Sequence, residues 1–286
     1  MNGNKTKLTI AIPTKNRPDF LRQSLTSVVE QDFKDRKVIV IDNASEVEIK
    51  PVVDEVGRGE VEYVRNESDL GIIGNWNKAI ELCKTPFLSI FHDDDVMLPG
   101  FLSKSILALE KNPTAMMSYT QANKVDPQLN YISIWSELFP NEGLIRGSDY
   151  LMYSIEKGCC VTIAPTVVLR RAVFDKVGLF TDELCFNSFD FNMWIRIANE
   201  FDLVFIKEVL INYRLHEKQM SKEHWFTKGY PTGRLATMME LIKATYLMMQ
   251  KEGVKTDFQK QTFLREKISE FNKLAAGYAR DLIPGL

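Results

Sequence analysis

Cysteine and histidine are scarce in this 286-residue chain, which has four of the first (Cys83, Cys159, Cys160, Cys185) and three of the second. The cysteines show no C-x-x-C spacing, and so few histidines add little to a ligand set, which argues against a zinc module. They read instead as small buried hydrophobes of a reducing compartment, and the protein as cytoplasmic. No apolar run approaches the ~20 residues of a membrane-spanning helix. The first apolar stretch, residues 8–13, is too short for the core of a signal peptide. A net charge of −2 leaves no global basic field to attract nucleic acid. What remains is an ordinary globular composition, 45% hydrophobic and 26% charged, with length for one large domain or two small ones.

Short apolar runs alternate with helical patterns along the first hundred residues. Residues 8–13 read as a strand, ended by Pro13 and the polar Thr14-Lys15-Asn16-Arg17-Pro18. Asp19 can then cap a helix carrying Phe20, Leu21, Leu25, Val28 and Val29 at helical spacing. Residues 37–41 form a second strand, ending in Asp42-Asn43-Ala44-Ser45, and residues 61–64 a third. Gly71 to Gly74 turn into a helix with Trp76, Ala79, Ile80 and Leu82, and residues 87–91 form a fourth strand. This alternation predicts a parallel sheet wound by right-handed crossovers. In such a sheet the turns after the first, second and fourth strands share one edge, the edge where ligands bind.

The fourth strand runs into His92-Asp93-Asp94-Asp95. Adjacent carboxylates repel, so the fold must supply a cation or water to screen them. Mg²⁺ or Mn²⁺ bridging a phosphorylated ligand is one partner of the right hardness; a solvated acidic turn closed by Pro99-Gly100 is the plainer alternative. Three converging polar turns would hold a nucleotide, with base and ribose near Asp42 and Asn43 and the diphosphate near the acids.

Beyond the acids a helix is expected over residues 98–109, opened by Pro99, and a strand over 116–122. Residues 123–147 read as a long loop, either a lining for an acceptor pocket or a surface excursion. Ser148 caps a helix, residues 167–170 form a short strand, and 171–176 a short helix. Residues 187–198 read as a helix with Phe191, Trp194, Ile195 and Ala198 on one face. Asp190 in its first turn has two readings: a carboxylate favoured by the helix dipole, or a base whose bulky apolar surroundings raise its pKa. Two short strands, 203–205 and 209–213, lead to Tyr213-Arg214-Leu215-His216. His216 can be a metal ligand or a diphosphate contact, although a lone histidine after a strand is usually neither. Residues 222–286 carry two amphipathic helices: Leu235, Met238, Met239, Ile242, Tyr246 and Met249 in one, Leu264, Ile268, Phe271, Ala275, Tyr278 and Leu282 in the other. Packing onto the main domain is the first reading of this extension; homodimerisation and docking on a membrane surface are the others. Residues 217–286 hold twelve Lys and Arg against eight Asp and Glu, a mild excess compatible with a membrane surface.

Taken in order, these stretches resemble the family 2 glycosyltransferases, inverting enzymes of the GT-A fold. The likeness covers residues 7–221. It rests on Ile10-Ala11-Ile12-Pro13-Thr14-Lys15-Asn16-Arg17, on Asp42-Asn43-Ala44-Ser45, on Gly71 with Asn75 and Asn77, on Asp93-Asp94-Asp95 with Leu98-Pro99, on Asp190 with Trp194 and Arg196, and on Tyr213-Arg214-Leu215-His216 with Ser221. Two positions depart from the pattern: His92 stands where the family usually has Asp, and Phe189 where it usually has Glu. Asn43 stands where some members have a base-reading Asp.

The resemblance implies an α/β, Rossmann-like GT-A fold. It has a mostly parallel wound sheet with helices on both faces, a nucleotide-binding half (1–95), an acceptor-binding half (96–221) and a C-terminal helical extension (222–286). It implies a nucleotide-diphosphate sugar donor, UDP- or dTDP-linked, contacted by Pro13, Thr14, Asn16, Arg17, Asp42, Asn43, Gly71, Asn75, Asn77, His92 and Asp93. It implies Mg²⁺ or Mn²⁺ on Asp94 and His216, Asp190 as the base, and Trp194 and Arg196 as acceptor or supporting residues. The acceptor class it implies is a glycan or lipid-linked sugar in cell-surface polysaccharide or glycoconjugate synthesis, at the inner face of the membrane. Two other classes compete. A metal-dependent nucleotidyltransferase usually needs a glycine- and lysine-rich phosphate loop, and the turn from Thr14 to Pro18 has no glycine. A degenerate binder of nucleotide sugars or glycans would draw on the departures at His92 and Phe189.

Overall fold

The structure is a computed structural model that describes residues 6–135, 139–157, 160–181, 189–217 and Gln219, with isolated helical positions at Thr262, Glu266 and Ser269. Four parallel strands make its first half: β1 (Leu8–Thr14), β2 (Arg36–Asp42), β3 (Val61–Arg65) and β4 (Phe87–Ile90), in the order β3-β2-β1-β4. β1 sits inside this set and is apolar on both faces. Leu8, Ile10 and Ile12 pack into one core with Leu21 and Leu25 of helix α1 (Pro18–Val29). Ala11, between them, faces the opposite core with Trp76 and Ala79 of helix α3 (Gly71–Leu82), as strand alternation requires. The sheet therefore carries helices on both faces. Helix α2 (Lys50–Gly57), too short for its pattern to stand out in the sequence, links β2 to β3.

Asp19 does not cap α1. The cap position belongs to Arg17, with Pro18 opening the helix and Asp19 inside the first turn. Proline suits that place because its missing N–H has no partner there anyway.

After β4 the sheet is mixed. Strand β5 (Val96–Met97) and helix α4 (Phe101–Lys111) come after the acids, and strand β6 (Ala115–Val125) is next. The expected loop over 123–147 holds two further strands, β7 (Tyr131–Ile134) on β6 and β8 (Gly143–Ile145). Helix α5 (Gly147–Lys157) then leads through a 3-10 turn (Ala164–Thr166) to β9 (Val168–Arg170), which lies antiparallel between β4 and β6. Helices α6 (Val173–Val177) and α7 (Phe189–Glu200) precede β10 (Asp202–Arg214). A Cβ on Gly147 would lie 1.8 Å from the Ala198 carbonyl oxygen, so the absence of a side chain lets α5 approach α7.

The two strands expected over 203–213 are one. β10 runs parallel to β6, with register shifts between Ile206 and Val209 and between Val209 and Ile211. The bulge expels Lys207, which donates to the Pro140 carbonyl at 3.1 Å, and Glu208, which pairs with Lys104. A bulge of this kind bends a strand and re-aims the residues beyond it. β5 pairs antiparallel with β10, Met97 opposite Ile211, which joins the acidic turn to the end of β10. Cys83 is a buried free thiol, and Cys160, partly buried, donates from Sγ to the Thr162 carbonyl at 2.9 Å. Cys159, Cys185, Ser221 and the amphipathic pattern of 222–286 lie outside the described residues, apart from Thr262, Glu266 and Ser269. Among the described residues no helix is long and apolar enough to cross a membrane.

Candidate active site

A cleft of about 450 Å³ opens where β1, β2 and β4 end. Its β1 wall is Pro13, Thr14, Asn16 and Arg17, its β2–α3 wall Asn43, Gly71 and Asn75, and its floor His92, Asp93 and Asp94. Asp190 of α7 lines the cleft as well. The expected convergence of three polar turns is thus present, and backbone bonds tie the β2 turn to the ends of β1 and β3. Asn43 N–H donates to Thr14 O and Asn66 N–H to Asp42 O, both at 2.9 Å.

Each of the three adjacent carboxylates has a separate set of partners. Asp93 accepts from Thr14 Oγ1 at 2.7 Å and from Arg17 at 3.2 Å. Asp94 Oδ2 accepts from the same guanidinium nitrogen at 2.9 Å and lies 3.0 Å from His216 Nε2. Asp95 is fully buried; its Oδ1 takes the Arg214 N–H at 2.8 Å and its Oδ2 lies 3.2 Å from His92 Nδ1. Burial pushes Asp93 and Asp95 above the usual carboxylate range, and the charge of Asp94 adds to it. Burial acts on Asp94 as well, but the His216 bond and the charges of His92 and Arg17 outweigh it and hold Asp94 low. Desolvation works against the His92 cation, yet the bond to Asp95 and the surrounding acids raise it overall. Asp94 is therefore the carboxylate most strongly held ionised at the cleft floor.

Arg214 organises this floor from 119 or more residues away. It is fully buried, donates from Nε to the Asp94 carbonyl at 2.7 Å, and reaches Pro127 O and Gln23 Oε1, each at 2.8 Å. His216 lies behind Asp94, against the Phe20 ring, rather than on the lining of the cleft. His92, Asp94 and Asp95 offer ligand atoms all within 4.8 Å of one another. Carboxylate oxygens with an imidazole suit a hard divalent cation, so the donor set at this floor fits Mg²⁺ or Mn²⁺. Asp94 both lines the cleft and belongs to the set, as does His92 at its edge.

Asp190 sits in the first turn of α7 and also faces the cleft. Its Oδ1 accepts the Phe191 N–H at 2.8 Å at the start of α7, and it lines the cleft. Burial raises its pKa above the usual carboxylate range, only partly countered by that N–H and by His92. The apolar surround comes from Trp76, whose ring meets Phe189 at 4.9 Å, Phe180 at 5.2 Å and His92 at 5.5 Å.

Besides His216, four expected site residues do not line the cleft. Asp42 is fully buried, its carboxylate taken by Tyr63 OH and Arg65, each at 2.6 Å, and by Ser45 N–H at 2.9 Å. It shapes the turn that carries Asn43 and has no face toward the ligand side. Asn77 points the other way, exchanging two bonds with the Phe180 backbone at 2.9 and 3.0 Å. Trp194 lies in the core, 6.2 Å from the Phe180 ring. Arg196 ties α7 to the carbonyls of Val177 and Leu179. Both are placed to brace α7 rather than to line the cleft.

Other lining residues, Asp69 and Gln219 among them, carried no signal in the sequence. Asp69 takes Lys15 Nζ and Asn43 Nδ2, each at 2.6 Å, and the Gly71 N–H at 2.9 Å, so it fixes the entry to α3. Tyr213 and Gln219 complete the rim. A lone acid in a polar loop looks like surface until its partners are known.

The family model described as "Glycosyl transferase family 2" matches residues 9–178, more than half of the chain. An uncharacterized glycosyltransferase of Methanocaldococcus jannaschii is 26% identical over 216 residues, 74% of this chain and 71% of that protein. An uncharacterized glycosyltransferase of Rickettsia prowazekii is 25% identical over 215 residues, and the chain spans 65% of its length. A Campylobacter jejuni protein named GalNAc(5)-diNAcBac-PP-undecaprenol beta-1,3-glucosyltransferase is 34% identical over 100 residues, 34% of this chain and 32% of that one. Among solved structures, S. aureus TarS 1-349 in complex with UDP-GlcNAc superposes with a TM-score of 0.64 at 15% identity, covering 94% of this chain and 81% of that one. The mannosyltransferase PcManGT of Pyrobaculum calidifontis, in complex with GDP-Man and Mn²⁺, gives 0.58 at 13% identity, covering 98% and 88%. The two structures share the GT-A fold with this chain, and with a family match that runs from β1 through α6 and takes in the polar turns and the acids, the chain belongs to glycosyl transferase family 2.

Proposed function

We propose that this protein moves a sugar from a nucleotide-diphosphate sugar to an acceptor hydroxyl in a single in-line displacement that inverts the anomeric centre. The observation that carries the reading is that two acids in different states line one cleft: Asp94, held ionised, and Asp190, raised and half-buried. In this reading Pro13, Thr14, Asn16, Arg17, Asn43, Gly71, Asn75, His92 and Asp93 receive the nucleotide and its ribose. Asp94 holds Mg²⁺ or Mn²⁺, with His216 behind it and His92 and Asp95 completing the set. When bound, that ion supplies Lewis-acid neutralisation of the departing diphosphate. Asp190 takes the proton from the acceptor hydroxyl, and the bulky rings of Trp76 and Phe189 keep water from its carboxylate. A base with a raised pKa is suited to this, because it takes up a proton more readily than an ordinary carboxylate.

The complexes of the solved neighbours, with UDP-GlcNAc, UDP and GDP-Man, support a nucleotide-sugar donor. The undecaprenol-linked substrate in the name of the Campylobacter relative supports a lipid-linked glycan acceptor, and with it polysaccharide or glycoconjugate synthesis at the inner membrane surface. In this reading residues 1–221 are the catalytic unit and 222–286 an appended pair of amphipathic helices. The test is a thermal-shift panel of UDP, GDP, dTDP, CDP and ADP, each with and without Mn²⁺, on the wild type and Asp94→Ala. A ligand at 100 times its dissociation constant stabilises by about 2.7 kcal/mol. One diphosphate should shift the wild type with metal and leave the variant unmoved. Silence from all five in both proteins would overturn the donor class.

A further inference from the structure

Arg17 holds a position that bears on when a metal can bind. It stands at the cap of α1, lines the cleft and is half-buried. One of its guanidinium nitrogens donates to Asp93 Oδ1 at 3.2 Å and to Asp94 Oδ2 at 2.9 Å. That Asp94 oxygen is the same one that meets His216 Nε2 at 3.0 Å. The other oxygen, Oδ1, faces His92 Nδ1 at 4.0 Å. A cation taken up by either oxygen of Asp94 sits about 2.1 Å from it, within one carboxylate's width of the Arg17 guanidinium. Two cations this close repel each other. The ion and the Arg17–Asp94 contact therefore compete for one carboxylate.

The geometry points to Arg17 as a gate that couples metal binding to diphosphate binding. Without nucleotide, its guanidinium neutralises Asp93 and Asp94 and holds the metal off. A diphosphate offers paired oxygens that match the planar guanidinium fork better than two separate carboxylates do. Drawn to the diphosphate, Arg17 releases Asp94, and the metal enters with the nucleotide. When the nucleoside diphosphate leaves, Arg17 returns to Asp94 and the metal leaves with the product. The gate rests on the reading of this cleft as a metal–nucleotide site. Coupling of this kind is reciprocal: whatever the nucleotide adds to metal affinity, the metal adds to nucleotide affinity.

The experiment is a Mn²⁺ titration monitored by the electron paramagnetic resonance of free Mn²⁺. It uses the full chain as wild type, Arg17→Gln and Lys15→Gln, with and without the diphosphate that shifts the wild type in the thermal panel. Lys15 also lines the cleft but is paired with Asp69, so Lys15→Gln removes a charge without touching Asp94. Without nucleotide, Arg17→Gln should bind Mn²⁺ about tenfold or more tighter than wild type, the worth of a competing charged hydrogen bond. Lys15→Gln should stay within about twofold of wild type. Nucleotide should then add less to Mn²⁺ affinity in Arg17→Gln than in wild type. If Arg17→Gln does not fold, Arg17→Lys tests the same competition, because the shorter lysine side chain draws its charge back from the place of the one guanidinium nitrogen that bonds both carboxylates; a tighter nucleotide-free site is again expected. Equal gains in the two glutamine variants, or no gain in the Arg17 variants, would overturn the gate while leaving the donor reading intact. Wild type that binds Mn²⁺ no better with any of the five diphosphates would overturn the donor reading itself.

Discussion

Replacing Asp190 by Asn removes a base and keeps the shape, and its two consequences run in opposite directions. General-base help is worth about 10²–10⁴ in rate, or roughly 3–5.5 kcal/mol of barrier. The variant should lose turnover by that factor. Stability should not fall with it. The Asp190 carboxylate is raised by burial, so in the folded protein its charged form costs more than in the unfolded chain. For a group with a raised acid pKa, folding is favoured below the folded-state value and penalised above it. The amide carries no such penalty and can still accept the Phe191 N–H through its oxygen. Asp190→Asn should thus melt no lower than wild type at pH 7. Release of nucleoside diphosphate from donor alone, with water as the slow acceptor, reads the first effect without knowledge of the natural acceptor. A melting curve reads the second. The wild-type rate should fall as pH drops through the raised pKa of Asp190, and that acid limb should vanish in the variant. Turnover within a few-fold of wild type would refute the base assignment. A large fall in melting temperature would show that the carboxylate is a structural cap before it is a base.

Two predictions concern the frame around the cleft. Asp42 is pushed up by burial, but its bonds to Ser45, Tyr63 and Arg65 hold it below 3.8 overall, while Tyr63 is pushed up to about 12 by burial and by Asp42. A lowered acid stabilises above its unfolded pKa and loses that contribution as pH falls through the folded value. Asp42→Asn should therefore be less stable than wild type in urea at pH 7, with the gap shrinking below pH 4; a gap that persists unchanged into acid would contradict the ion-pair account. Gly147→Ala drives a Cβ toward the Ala198 carbonyl, 1.8 Å away, and α5 must shift off α7. A loss of about 1–3 kcal/mol is expected by chemical denaturation, with nucleotide affinity unchanged because Gly147 does not line the cleft; full stability would mean the two helices give way at no cost.

Local pattern decided a good deal of this protein. The apolar runs of β1, β2 and β4 mark buried strands because each lacks a charge for several residues, and the polar residues that end them must lie at one edge of a parallel sheet. From that alone Thr14, Asn43, Asp93 and Asp94 come together, and the dipole-favoured place of Asp190 in the first turn of α7 comes from the helical spacing of its neighbours. Partner choice is not local. Asp42 and Asp94 look alike in sequence, each a carboxylate in the turn after a strand. One is spent on Tyr63 and Arg65 of the neighbouring strand β3, and the other faces the cleft between Arg17 and His216. Asn75 and Asn77 are two residues apart on one helix, and the helical turn between them sends one to the cleft and the other to the Phe180 backbone. The bulge that merges two expected strands into β10, and the β5–β10 pairing that carries Arg214 and His216 to acids about 120 residues earlier, depend on contacts no window of sequence contains. Sequence periodicity sets which face of an element is buried. Only the packing of elements distant in the chain determines which buried polar group meets which, because an unpaired one costs too much to keep.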